Sequence, residues 1–134
     1  MSSEPKLDAK KIIQQGDVET LVDTAKATGT ALARQLTTSQ IRNIFGEVRR
    51  IEMDWSPTKV DADDAFRRVV LLQPKLAYQA KRERGRGVEE LQQVLEPCIE
   101  EIRKAPKEQR RLYFQRFVDF FEAILAYHKA AGGN

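Results

Sequence analysis

An all-α fold, a single compact bundle of five or six helices, is what this sequence predicts. Three observations carry that expectation. Apolar residues recur every three or four positions along most of the chain. No stretch alternates with period two over a useful length. Hydroxyl, carboxylate, Gly and Pro residues punctuate the apolar stripes at helix-sized intervals. With 134 residues the chain suits one domain, 1–134, and can build a core without disulfides or metals.

The elements follow in order. Residues 1–15 are expected to be loosely ordered, with at most a helical turn around Leu7–Gln14. Val18, Leu21, Val22, Ala25, Thr28 and Leu32 then form one stripe, which Gly29 weakens as a poor helix former. Thr37, Thr38 and Ser39 offer N-cap hydroxyls before Ile41, Ile44, Phe45, Val48 and Ile51. Trp55-Ser56-Pro57-Thr58 ends that helix, and Asp61 with Asp64 opens the next, since carboxylates suit a helix N-terminus. Its stripe of Phe66, Val69, Val70, Leu76, Ala77 and Ala80 runs through Pro74, where a kink or short break is expected. Gly85-Arg86-Gly87 terminates it. Val88, Leu91, Val94, Leu95, Cys98 and Ile102 make the following helix, kinked or split at Pro97, and Pro106 precedes the last. That one runs from about Lys107 to Ala130 behind Phe114, Phe117, Val118, Phe121, Ile124, Leu125 and His128, and residues 131–134 are expected to fray.

Composition removes several function classes. A single Cys excludes an internal disulfide framework, and one Cys with one His cannot make the usual His/Cys structural zinc site. No apolar run reaches the roughly 18–20 residues of a membrane span, and the first residues lack the apolar core of a signal peptide. A cytoplasmic protein without a membrane partner is therefore expected. Cys98 is in phase with the apolar stripe and reads as a small buried hydrophobe. His128 lies on an apolar face and reads as core or tail packing rather than as a catalytic base. Asp61, Asp63 and Asp64 suggest a Mg²⁺ cluster, but their place at a helix start favours capping. With no Walker loop and no dinucleotide fingerprint, the expectation is no enzyme, no catalytic residue, no metal and no cofactor.

The charge balance is only +3, yet it is segregated along the chain. Seven Lys and Arg stand against the single Glu83 between Arg67 and Arg86, and Glu89 to Glu101 holds five Glu and no base. From Arg103 to Arg116 six bases face only Glu108. Such blocks create local fields that a near-neutral total hides. Two readings follow, a solvated surface with internal ion pairs or a polyanion-binding face. Arg42 and Arg49 are seven apart and share a helix face, with Gly46 between them allowing close backbone approach. Beyond Pro74, Lys75, Tyr78 and Arg82 also share a face, and Arg86 follows. Arginines so spaced grip phosphates without reading sequence, and Tyr78 suits stacking on a base as well as half-burial.

Tyr113, Phe120 and Tyr127 stand seven apart, off the main stripe of the last helix. Either that helix is central, or the edge is left for a partner protein or another copy. The second alternative supports a competing function, a helical protein–protein adaptor with no nucleic-acid role.

Three segments carry a resemblance: Leu36-Thr37-Thr38-Ser39-Gln40-Ile41-Arg42-Asn43-Ile44, then Leu72-Gln73-Pro74-Lys75-Leu76-Ala77-Tyr78-Gln79-Ala80-Lys81-Arg82, then Phe117 through Lys129. In this order and spacing, over about residues 36–129, the chain resembles the small helical subunit of type III-A CRISPR effector complexes, the Csm small-subunit family. The resemblance implies a helical bundle without an active site, stacked in several copies beside the backbone and large subunits. It implies support of the CRISPR RNA–target RNA duplex through its phosphates, while base pairing supplies specificity. Arg42, Lys75 and Arg82 match the family's positions; Arg49 and Arg86 are added by the facial argument. Lys81 departs from the small residue usual before the arginine, which leaves the role of Arg82 less defined.

Overall fold

Helix α1 (Val18–Leu32) begins where Asp17 accepts hydrogen bonds from the backbone N–H of Glu19 at 3.1 Å and of Thr20 at 3.2 Å. The Thr20 bond, chief among these contacts, holds the Asp17 carboxyl below its ordinary range. In the computed structural model, which describes residues 8–55, 62–83 and 85–133, five further α-helices follow. They are α2 (Thr38–Asp54), α3 (Ala62–Val70), α4 (Leu72–Arg82), α5 (Gly87–Arg103) and α6 (Arg110–Ala130). No strand occurs among the described residues. Leu7, Ser56, Pro57, Thr58 and Asp61 lie outside them, as does the last position of the 131–134 tail.

Helix α6 is the axis of the bundle, touching α1, α2, α5 and the N-terminal turn. Phe117, Phe120, Phe121 and Ile124 are fully buried along it. Its densest partner is α1, and Gly29 is the reason. A Cβ there would stand 2.6 Å from the Ile124 carbonyl oxygen and 2.8 Å from the His128 nitrogen. The glycine that weakens α1 by propensity is thus what lets two backbones meet. Seating Gly29 on α6 also sets the stripe: Leu21, Ala25 and Leu32 are buried with it, while Val18 is 65% exposed and Val22 faces outward.

Helix α2 opens with a capping box, in which Gln40 N–H donates to the Thr37 hydroxyl at 3.1 Å and Thr37 N–H to the Gln40 side chain at 2.9 Å. Phe45 meets Phe121 edge-on at 4.9 Å, which fixes α2 on α6. The break expected near Pro74 falls at Leu71, so that Pro74 sits in the first turn of α4, where its missing N–H is no loss. Pro97, by contrast, leaves α5 continuous.

The helical turn expected around residues 7–14 forms, within the described residues, over 10–14, and residues 131–133 are ordered where fraying is expected. Residues 10–14 form a π-helical turn whose Ile12 and Ile13 are completely buried. The Arg116 guanidinium donates to the carbonyls of Ile13 and Gln14, both at 3.0 Å. At the other end Gly132 takes φ +92°, and the N–H groups of Gly132 and Gly133 donate to Lys129 and His128 carbonyls at 3.0 and 2.9 Å. This is a Schellman closure rather than fraying. Gly133 packs on the buried His128 ring, whose Nε2 is 2.6 Å from the Leu36 carbonyl oxygen.

Candidate nucleic-acid interface

Helices α2 and α4 run antiparallel, but each leans on a different neighbour, α2 on α6 and α4 on α5. Their side chains meet at two points. Gln40 Nε2 donates to Glu83 at 2.9 Å, and Lys75 Nζ donates to Glu47 at 3.3 Å. Between those ties lies an open groove of about 440 Å³ with an apolar floor of Ile44, Leu72, Pro74 and Leu76. Asn43 on one wall and Gln79 on the other line both this groove and a smaller pocket that continues it toward Arg82. Neither amide bonds to another described residue. By contrast, Gln73 is taken up by Glu96, Glu100 and Arg103, which hold α4 against α5.

The predicted cations separate into two groups. Arg42 and Arg86 are exposed, and among the described residues no carboxylate lies within salt-bridge distance of either. Arg49, Lys75 and Arg82 each have one: Glu52 at 2.7 Å, Glu47 at 3.3 Å and Glu83 at 3.4 Å. Burial raises the affinity of Glu47 for a proton, but the hydrogen bond and charge of Lys75, with Arg50, outweigh it and hold the carboxyl below its ordinary range. Tyr78 is 63% exposed, and the Arg82 guanidinium sits 5.9 Å from its ring centroid. Nothing lies within 4 Å of a Cβ placed on Gly46, so the face between Arg42 and Arg49 is open.

Helix direction brings part of this set together. The start of α2, the end of α4 and the start of α5 share one end of the bundle, since Gln40 reaches Glu83 and Gly87 packs against the Gln35 carbonyl. Arg42, Arg82 and Arg86 therefore belong to one end. Lys75 stands about 10 Å from Arg82 along α4, at the far end of the groove. Arg34 and Lys81, both exposed and without a described carboxylate partner, join the basic end. Arg34 follows the last turn of α1 and belongs to no charge block, so no pattern in the sequence marked it. Asn43 and Gln79 carry no signal in the sequence either, because only the fold brings their amides to one groove.

The remaining candidates are structural. Tyr113 and Phe120 are buried and Tyr127 packs partly buried against the core, which corrects their reading as a partner edge. The cause is the central place of α6, whose neighbours require a wide apolar arc. Burial, with the nearby Glu101 charge, pushes the Cys98 thiol far above its ordinary range, which disfavours the thiolate form that nucleophilic attack requires. Asp63 pairs with Lys107 at 3.6 Å and Asp64 approaches Arg67 at 3.9 Å. Among the described residues no three His, Cys, Asp or Glu side chains converge as a metal site would require, and no helix is long and apolar enough to cross a membrane.

Fold and surface together define a small helical protein whose distinctive features are a basic end and a two-walled groove. Residues 15–134 match the Csm2 Type III-A family, and the chain belongs to it. Membership makes it a small subunit of a type III-A CRISPR complex, working alongside the other Csm subunits. The match takes in α1 as well as the three segments that carried the resemblance in the sequence. No curated protein and no solved structure matches the chain significantly.

Proposed function

We propose that this chain is a non-catalytic RNA-binding subunit that supports the duplex of CRISPR RNA and target RNA through sequence-independent phosphate contacts. In this reading it works in the cytoplasm, stacked with other copies of itself beside the backbone and large subunits. The carrying observation is that Arg42 in α2, Arg82 in α4 and Arg86 at the N-cap of α5 all lie toward one end of the bundle, exposed. Family membership supplies the RNA-guided setting, in which base pairing reads sequence and the protein holds the backbone.

Arg42 and Arg86 have no described carboxylate to compete with a phosphate, so they are the contacts to remove first. The Arg42→Ala/Arg86→Ala protein should lower the slope of log affinity against log salt by about 2, with an unchanged helical circular-dichroism spectrum. A folded double variant with the wild-type slope would refute the site. Scrambling the base sequence of a paired RNA should leave affinity unaltered.

A further inference from the structure

We infer that the α2–α4 groove receives a single unpaired nucleobase from the RNA held at the basic end. The inference rests on the phosphate-binding reading above and adds a ligand for a part of the surface that reading does not use. Four observations converge on this occupant. The groove volume, about 440 Å³, falls in the range of small-molecule sites, and its floor is made of Ile44, Pro74 and Leu76 with their neighbours. Two amides, Asn43 and Gln79, face it from opposite walls with their hydrogen-bonding groups unspent on other described residues. An amide carries both donors and an acceptor, which is what the edge of a base requires. Tyr78 lines the groove with 63% of its surface exposed, an aromatic plane that the rest of the chain does not cover.

The fourth observation is the placement of charge. Lys75 stands at one end of the groove and Arg82 at the other, so the phosphates on either side of a docked base each meet a cation. An apolar peptide side chain would satisfy the floor, but it would leave both amides without counterparts and give Lys75 and Arg82 nothing beyond the carboxylates they already hold. A fully paired duplex would reach the cations and leave the floor wet. Only a nucleotide lifted out of the stack uses all four features, and stacking of this kind tolerates any base because every base has an aromatic face.

The test uses the full chain and three RNA duplexes: fully paired, with one bulged adenosine, and with the same bulge made abasic. Fluorescence anisotropy should show the adenosine bulge bound about tenfold more tightly than the abasic bulge, the scale of one base–aromatic contact. A 2-aminopurine placed at the bulge should change its emission on binding. Tyr78→Ala and Asn43→Ala/Gln79→Ala should each abolish the preference, and the double amide variant should keep its affinity for the paired duplex within twofold. These side chains lie at the surface, so the folded state should survive their loss. Equal binding of adenosine and abasic bulges would overturn the inference and return the groove to a protein partner, with the phosphate reading intact. A preference that survives both variants would also overturn it. If the paired duplex fails to bind at all, and the bulged one too, both readings fall together.

Discussion

Two helix pairs of this protein are built on opposite principles. Where α1 meets α6 the backbones are in contact at Gly29, and the seam admits no added atom. Where α2 faces α4 the backbones stay apart, joined by the Gln40–Glu83 and Lys75–Glu47 ties, with open space between. The first arrangement uses its surface within the fold. The second leaves apolar floor, unengaged amides and an exposed tyrosine, all of which gain by meeting something outside the chain. That contrast separates surface committed to the fold from surface left open between two helices.

The sharpest way to break the comparison is a methyl-bearing side chain in the seam. Gly29→Val should cost about 3 kcal/mol, the upper end of ordinary overpacking, because the obstacles are backbone atoms of Ile124 and His128 that have no rotamer to yield. Urea denaturation would register it as a fall in midpoint at constant slope. A loss under about 1 kcal/mol would show that α1 slides on α6, and the distinction between the two pairs would collapse.

Gly46 supplies the matched control. It lies in the interior of α2 with open space around its missing Cβ. Gly46→Ala should therefore stabilise the protein by about 0.5–1 kcal/mol, through backbone entropy and helix propensity alone. Two glycines in two helices are thus expected to give opposite signs, and the same denaturation curves decide it.

The same pair of residues shows how far the sequence was legible. Helices α2, α5 and α6 could be read because each carries an apolar stripe long enough for its period to register, and Thr37 with Gln40 is a local signal that the fold simply uses. Gly29 was read as a weakness, since propensity assigns a cost to the residue and knows nothing of the helix across from it. The turn that holds Ile12 and Ile13 is legible but their burial is not, because five residues are too few to display a period. At the C-terminus Gly132 looked like the end of order, although its positive φ closes α6. In the candidate site, Arg42, Lys75 and Arg82 could be placed on helix faces by spacing. The partner of Lys75 could not, because Glu47 lies 28 residues away and nothing local couples them. The Tyr113–Phe120–Tyr127 arc posed the converse problem, where spacing was plain but only the number of neighbouring helices settled which side is covered.

Glu47 offers the smallest expected effect on stability and the finest probe of the groove. Its carboxylate accepts from Lys75 and pairs with Arg50 at 2.5 Å, and it is partly exposed, so water screens both contacts. Because its folded-state proton affinity is depressed, the ion pairs stabilise the protein above the unfolded value of about 4.5 and are lost as pH falls through the lower folded value. Wild type should exceed Glu47→Gln by no more than about 0.5 kcal/mol at pH 7, and the gap should close below pH 4.5. RNA binding should move the other way. Freed of its carboxylate, Lys75 meets a phosphate without first breaking an ion pair, and a negative charge disappears from the groove rim. Glu47→Gln should then bind RNA several-fold more tightly at low salt, with the advantage shrinking as salt rises. A variant that loses RNA affinity would mean that Glu47 orients Lys75 rather than competing for it, and the tie at that end of the groove would belong to the binding geometry itself.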